Sequence, residues 1–381
     1  MGKKLKKIII FLMPFIIGGA LGIIGVRLAG LSNTPAGGLA DMPYIPEPLG
    51  IAGLFVHLVA VFFTVMGGVY FHIIVHEAGH LICGKLSGYG FISFRVRSFT
   101  IINKNGKLLR KKYALGGTDG QCLMSPPEMG EDSQFPFVLY NLGGGLANLL
   151  SSAVFFAIGY FTAGLPSLLL NILAILGVIL GLINLIPMKI GGITNDGRNL
   201  LTCLKDAQAR RALWIQLKFA ALITQGVRPC DMPEEWGLDE LGKGTLWGFV
   251  ATFRHNYLLD KGEIDEARAY ARDVLADAGQ MLEMYKTELK SELLFHELID
   301  ECRNDEIEAL YNKEMEAHVK ALASHASKQR LLYAYHKLYR RDEAEAEKAL
   351  AAFERACMHT PFEGEVAGER ALVALVREKG A

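Results

Sequence analysis

An apolar run over residues 53–75 ends in His76-Glu77-Ala78-Gly79-His80, and this junction constrains the chain more than any other stretch. About twenty consecutive apolar residues are enough to cross a bilayer as a helix. On a helix, side chains four apart lie one above the other on the same face. His76 and His80 therefore present two imidazoles to one point, which is the spacing needed to bind one zinc ion. Glu77 is placed to act on a zinc-bound water as general base. Short motifs also arise by chance. An ionised carboxylate in the middle of a membrane helix, however, costs roughly 2.5–3.5 kcal/mol on insertion scales, and less near an end. That cost favours a use for Glu77 over an accidental polar cluster at a helix end.

The 381 residues carry 40 acidic and 40 basic side chains, so bulk charge marks no polyanionic partner, and nothing points to nucleic acid. The balance hides an asymmetry. The first half has long uncharged runs, whereas the part after about Asp196 is charged and helix-favouring. The six cysteines are scattered without a Cys-x-x-Cys pair, which excludes a disulfide framework and a cysteine zinc site.

Four apolar runs, near residues 8–26, 53–84, 136–162 and 165–187, predict four transmembrane helices. A cleaved signal peptide has a shorter apolar core of about 7–15 residues. The first run is therefore expected to stay as a helix, although residues 36–41 resemble a cleavage site. Lys and Arg concentrate at the N-terminus and in the connection after the second run (Arg95, Arg97, Lys104, Lys107, Arg110, Lys111, Lys112). The positive-inside rule then puts both termini and that connection in the cytoplasm. The expectation is an all-α multi-pass protein of a bacterial plasma membrane in three parts: 1–51, a membrane core 52–198, and a cytoplasmic helical domain 199–381.

Within the basic connection, residues 91–102 are β-favouring, Asn105-Gly106 suits a tight turn, and residues 108–113 can return. This predicts a β-hairpin, either a simple link or an edge strand for an extended peptide. The third run holds Asn141 and Gly143-Gly144-Gly145-Leu146-Ala147-Asn148, where small residues allow close helix approach and an amide can bond across helices. The fourth ends in Asn184-Leu185-Ile186-Pro187, followed by Gly191-Gly192 and Asp196-Gly197. Its break returns Asp196 to the level of His76 and His80. Asp196 is thus the candidate third ligand, leaving a fourth position for water; the alternative is a turn-forming aspartate. His72, one turn before His76, reads as a packed or supporting histidine, and His57 as helix packing. His255, His296, His318, His325, His336 and His359 show no ligand spacing.

Together these residues resemble the site-2 protease family of intramembrane zinc metalloproteases. The matches are His76-Glu77-x-x-His80, Gly144-Gly145-x-x-Asn148, and Asn184-x-x-Pro187 followed by Asp196-Gly197, in the family's order. Gly145 stands where the family has proline, and the stretch from Pro187 to Asp196 is several residues longer than the family's. The resemblance implies that His76, His80 and Asp196 hold zinc, that Glu77 activates water, and that Asn148 and Asn184 orient substrate or polarise its carbonyl. It also implies a membrane-associated β-element matching the hairpin.

After residue 200, residues 256–270 look like a tetratricopeptide-type helix-turn-helix, with echoes at 301–309 and 339–347. Stacked hairpins would offer a concave face to a protein or peptide partner; a plain helical bundle is the alternative. The leading functional expectation is hydrolysis of a peptide bond in a membrane protein or membrane-associated peptide. A non-catalytic scaffold is the alternative, which the presence of Glu77 disfavours. A peptide exporter or channel is disfavoured by the lack of a nucleotide-binding motif and of internal membrane repeats.

Overall fold

The computed structural model describes residues 51–113, 119–190, 193–238, 246–279 and 281–380. The first expected membrane helix, over residues 8–26, lies outside the described residues. Among the described residues, three helices are long and apolar enough to cross a membrane: α1 (Ile51–Leu86), α2 (Phe137–Tyr160) and α3 (Gly164–Leu185). Their polarity is the reverse of a water-soluble bundle. Phe63 is 67% exposed and Leu150 69%, whereas His72 is 0% and Asn148 1% exposed. Lipid accepts such an apolar exterior, and polar side chains are satisfied between helices instead.

The chain divides into two compact units, one reaching to His80 and including Leu142–Ile186, the other comprising Leu81–Asn141 and Pro187–Ala381. In the first unit, small residues bring backbones together. A Cβ on Gly79 would collide with the Gly143 carbonyl and stand 2.6 Å from Ala147 Cβ. Glycine at 79 therefore lets α1 and α2 approach where a larger residue would hold them apart.

In the second unit the expected hairpin is a four-stranded antiparallel sheet. β1 (Gly90–Val96), β2 (Phe99–Lys104), β3 (Lys107–Lys112) and β4 (Gly120–Ser125) lie in the order β3-β2-β1-β4. This corrects the reading of residues 91–102 as one strand. The chain turns at Arg97, which takes φ of 53°, so that Val96 pairs with Phe99. It also corrects their reading as an edge, because β1 and β2 each have neighbours on both sides. The Asn105-Gly106 turn forms as expected, with φ of 50° and 81°.

The sheet is tied to the helices that follow. Among these are α4 (Asp196–Lys205) and α5 (Ala207–Thr224), and β4 packs on α5. Trp214 Nε1 donates to Pro127 O at 2.9 Å, and Gln225 Nε2 to Asn103 O at 2.8 Å. Lys111 Nζ donates to Thr360 O at 2.9 Å and pairs with Glu363, which also pairs with Lys104.

After the short α6 (Glu235–Leu238), three helix-turn-helix units coincide with the sequence motif and its two echoes: α7 (Trp247–Lys261) with α8 (Ile264–Ala276), α9 (Glu283–Ile299) with α10 (Asn304–Leu310), and, beyond α11 (Lys313–Ala321), α12 (Ala326–Ala334) with α13 (Glu343–His359). A π-helical turn, Tyr335–Arg340, extends α12, and α14 (Val366–Lys379) follows. Each turn contains one left-handed residue: Gly262, Cys302 and Arg341. The residue five positions on (Ala267, Ile307, Ala346) is fully buried in every case. α9 and α12 also bury charge against each other. Arg330 lies over the Phe295 ring and bonds Glu292 at 2.8 Å and Glu369 at 2.8 Å, while Lys328 bonds Glu288 at 2.7 Å.

Candidate metal centre

The helical spacing of α1 brings the two motif histidines together as expected. His76 Nε2 and His80 Nε2 face each other at 3.1 Å, with ring planes 82° apart. Two imidazole nitrogens this close share a proton or a cation. Nitrogens bound to one tetrahedral zinc at about 2.0–2.1 Å would stand roughly 3.3–3.4 Å apart, so the pair needs almost no movement to hold such an ion. Glu77 and His80 are both buried, at 8% and 7% exposure. A carboxylate withdrawn from lipid and bulk water, next in the chain to His76, suits a proton acceptor at a metal.

α2 supports this pair through its glycines. A Cβ on Gly144 would stand 2.6 Å from both His76 ring nitrogens, so only glycine leaves the ring its place. One turn before His76, His72 Nε2 donates to Leu173 O on α3 at 2.8 Å. Gly177 gives this ring room, since a Cβ there would collide with it and with Ser152 Oγ. His72 is thus a histidine that joins helices, as its position suggested.

Asp196 opens α4, and the residue before it takes the turn-forming role. Asn195 Oδ1 accepts from Arg198 N at 2.9 Å and from Met188 N at 3.1 Å. Between Met188 and Asn195, β5 (Lys189–Ile190) pairs with β6 (Ile193–Thr194), a small hairpin where the sequence indicated only a helix break. Asn195 is therefore the residue that caps α4. One donor atom from each of His76, His80 and Asp196 lies within 4.8 Å of the others. This is the only such group of three among the described residues, and it could hold a metal ion.

The asparagines are placed differently. Asn148 lies beside the His72 ring. Asn184 Nδ2 closes onto Leu180 O of its own helix at 3.0 Å, and Asn141 onto Phe137 O at 2.7 Å. His57 bonds Gly53 O within α1, as helix packing implies. One pairing escaped sequence reasoning: His255 and His296 meet across α7 and α9 with Nε2 atoms 3.1 Å apart. Burial pulls both rings toward the neutral form, His296 down to about 3. No local spacing signals a contact between residues on separate helix hairpins. The chain matches no protein-family profile, no curated protein and no solved structure.

Proposed function

We propose that this chain is a zinc-dependent endopeptidase of the site-2 protease type, cleaving a peptide bond within or beside a membrane-spanning segment. The observation that carries the reading is the pair of facing imidazoles on a membrane-length helix, with Glu77 buried on the same helix and Asp196 within ligand range. His76, His80 and Asp196 would hold the ion. Zinc so bound supplies Lewis acidity and brings the pKa of water toward 7. Glu77 accepts the proton of the attacking water and delivers it to the departing amide nitrogen. Asn184, near the end of α3, is the amide assigned to polarise the scissile carbonyl once it leaves Leu180 O. A helical substrate hides its amides in intrahelical bonds and must unwind locally before attack.

The same reading places the protein in a bacterial plasma membrane with both termini in the cytoplasm, the helical domain recruiting a protein or peptide partner. Its test compares membrane-protein fragments and released peptides from cells carrying wild-type protein or Glu77→Gln. Fragments ending within or beside a transmembrane segment should appear only with the wild type. Identical fragment sets, with both proteins present in the membrane, would refute a peptidase.

A further inference from the structure

α14 covers a face that the three helix-turn-helix units would otherwise leave open. The first helices of the units pack in chain order, α7 on α9 and α9 on α12. Stacked hairpins of this kind present their first helices on one shared face. α14 lies across that face and packs on all three. The approach is close, since a Cβ on Gly368 would collide with Asp260 of α7. Its buried side chains Leu372, Val373 and Val376 stand at i+3, i+4 and i+7 from Glu369. That is the anchor spacing of a helix seated in a groove formed by others.

The charges between α9 and α12 pair without help from α14. Lys328 Nζ donates to Glu288 at 2.7 Å and Arg330 Nη2 to Glu292 at 2.8 Å. α14 and the turn before it add Glu369 and Glu365 to this cluster, while Arg370, Arg377 and Lys379 are exposed. Glu369 shares Arg330, accepting from its Nε at 2.8 Å. Glu365 comes among Glu369, Glu288 and Asp260, and Lys328 beside it is already bonded to Glu288. A further carboxylate brought out of water into such company is destabilising. Arg330 is buried, yet its Nη1 has no hydrogen-bond partner. A buried donor left so is costly. α14 thus fits the face in its apolar anchors and in Glu369, and misfits it in Glu365 and at Arg330 Nη1.

We propose that the face formed by α7, α9 and α12 is a docking site for an amphipathic helix of a partner protein, that α14 occupies it in cis, and that the partner enters by displacing α14. The partner helix carries apolar anchors at the spacing of Leu372, Val373 and Val376. It places one carboxylate where Glu369 meets Arg330, and a neutral side chain where Glu365 lies. An acceptor that reaches Arg330 Nη1 strengthens its hold. A tethered occupant acts at an effective concentration on the order of 1 mM, so an imperfect helix still keeps the face closed until a better one arrives. This deepens the partner-recruiting role of the helical domain given above, and it is independent of the metal centre.

The test uses the purified protein with a protease site inserted after the exposed His359, so that one cut leaves residues 360–381 held by contacts alone. A fluorescein-labelled peptide of residues 360–381 should exchange into the cut protein and bind uncut protein at least about 100-fold more weakly. At pH 8 the Glu365→Gln peptide should bind at least about fivefold more tightly than the unchanged peptide, and the Glu369→Gln peptide at least about tenfold more weakly. A cut protein that keeps its own segment against excess labelled peptide, or that loses its helical fold as the segment leaves, would overturn the proposal. So would a Glu365→Gln peptide no tighter, or a Glu369→Gln peptide no weaker, than the unchanged one. If the inserted site prevents folding, hydrogen exchange of the wild type decides. Amides of α14 should exchange faster than those of α9 and α12, and equal rates would overturn displacement. These failures concern one face, so they stand apart from failure of the recruiting role, in which no partner would bind the helical domain anywhere.

Discussion

Gly144→Ala should damage the metal centre through a single methyl group. The added Cβ would stand 2.6 Å from His76 Nδ1 and Nε2, whereas ordinary contact starts near 3.4 Å. The ring must retreat by at least about 0.8 Å, since its Cε1 stands closer still, and ligand distances tolerate only about 0.2 Å. In the metal-free protein the ring can rotate away, so most of the strain is felt only when the ion holds it. Overpacking of this kind costs about 1–3 kcal/mol. At roughly 1.4 kcal/mol per factor of ten, that lowers zinc affinity about 5- to 150-fold. Chelator competition on the purified protein reads this directly, with thermal unfolding as a parallel measure. Gly145→Ala provides the contrast, because its Cβ would press on the flexible Leu185 side chain, 2.7 Å from Cδ2. It should lower stability and spare zinc. Gly67→Ala, with nothing within 4 Å of its Cβ, should change neither. Wild-type zinc affinity in Gly144→Ala would refute the placement of His76 against α2.

Asp196→Ala should strip the metal with little loss of helical content, whereas Asn195→Ala should lose a cap and destabilise α4 by about 0.5–2 kcal/mol. Metal analysis and thermal melts of both variants check the division of labour. Burial, with Glu369 and Glu288 close by, pushes Glu365 up to about 8 from an ordinary 4.5. The folded state therefore keeps a proton that the unfolded state has released, and its contribution to stability falls as pH rises from about 4.5 to 8. Glu365→Gln should remove this fall and gain at least about 1 kcal/mol at pH 8. Urea melts at pH 6 and 8 can follow tryptophan fluorescence, since Trp214, Trp236 and Trp247 all lie in the helical part. At the inter-helix turns, Gly262→Ala should cost about 1–2 kcal/mol and Arg341→Gly should stabilise, because each residue takes positive φ. The same urea melts would show equal effects of the two changes if those turns were unstrained.

What the sequence revealed follows from periodicity. His76 and His80 meet because four residues make about one helical turn, and no tertiary information is needed for that. Three helix-turn-helix units were legible for a related reason, since their turns are followed at a fixed distance by Ala267, Ile307 and Ala346 in the core. The sheet was harder. Its first turn uses Arg97 at positive φ without a glycine, so the β-favouring run looked continuous. β4 reads Gly-Gln-Cys-Leu-Met-Ser, with no β-branched or aromatic residue to announce a strand. In the sequence Asp196 reads as either a ligand or a turn-forming aspartate, and the bonds of Asn195 to Arg198 and Met188 give the turn to its neighbour. The contact of Asn148 with His72 joins two helices whose facing is set by packing, and no spacing within either helix encodes it.

The central claim is a zinc ion held by α1 and Asp196 and served by Glu77. Elemental analysis of purified wild-type, His80→Ala and Glu77→Gln proteins tests it most directly. About one zinc per chain is expected in the wild type and in Glu77→Gln, and almost none in His80→Ala, because His80 is a ligand and Glu77 is not. A wild type without zinc, or His80→Ala with a full complement, would contradict the claim.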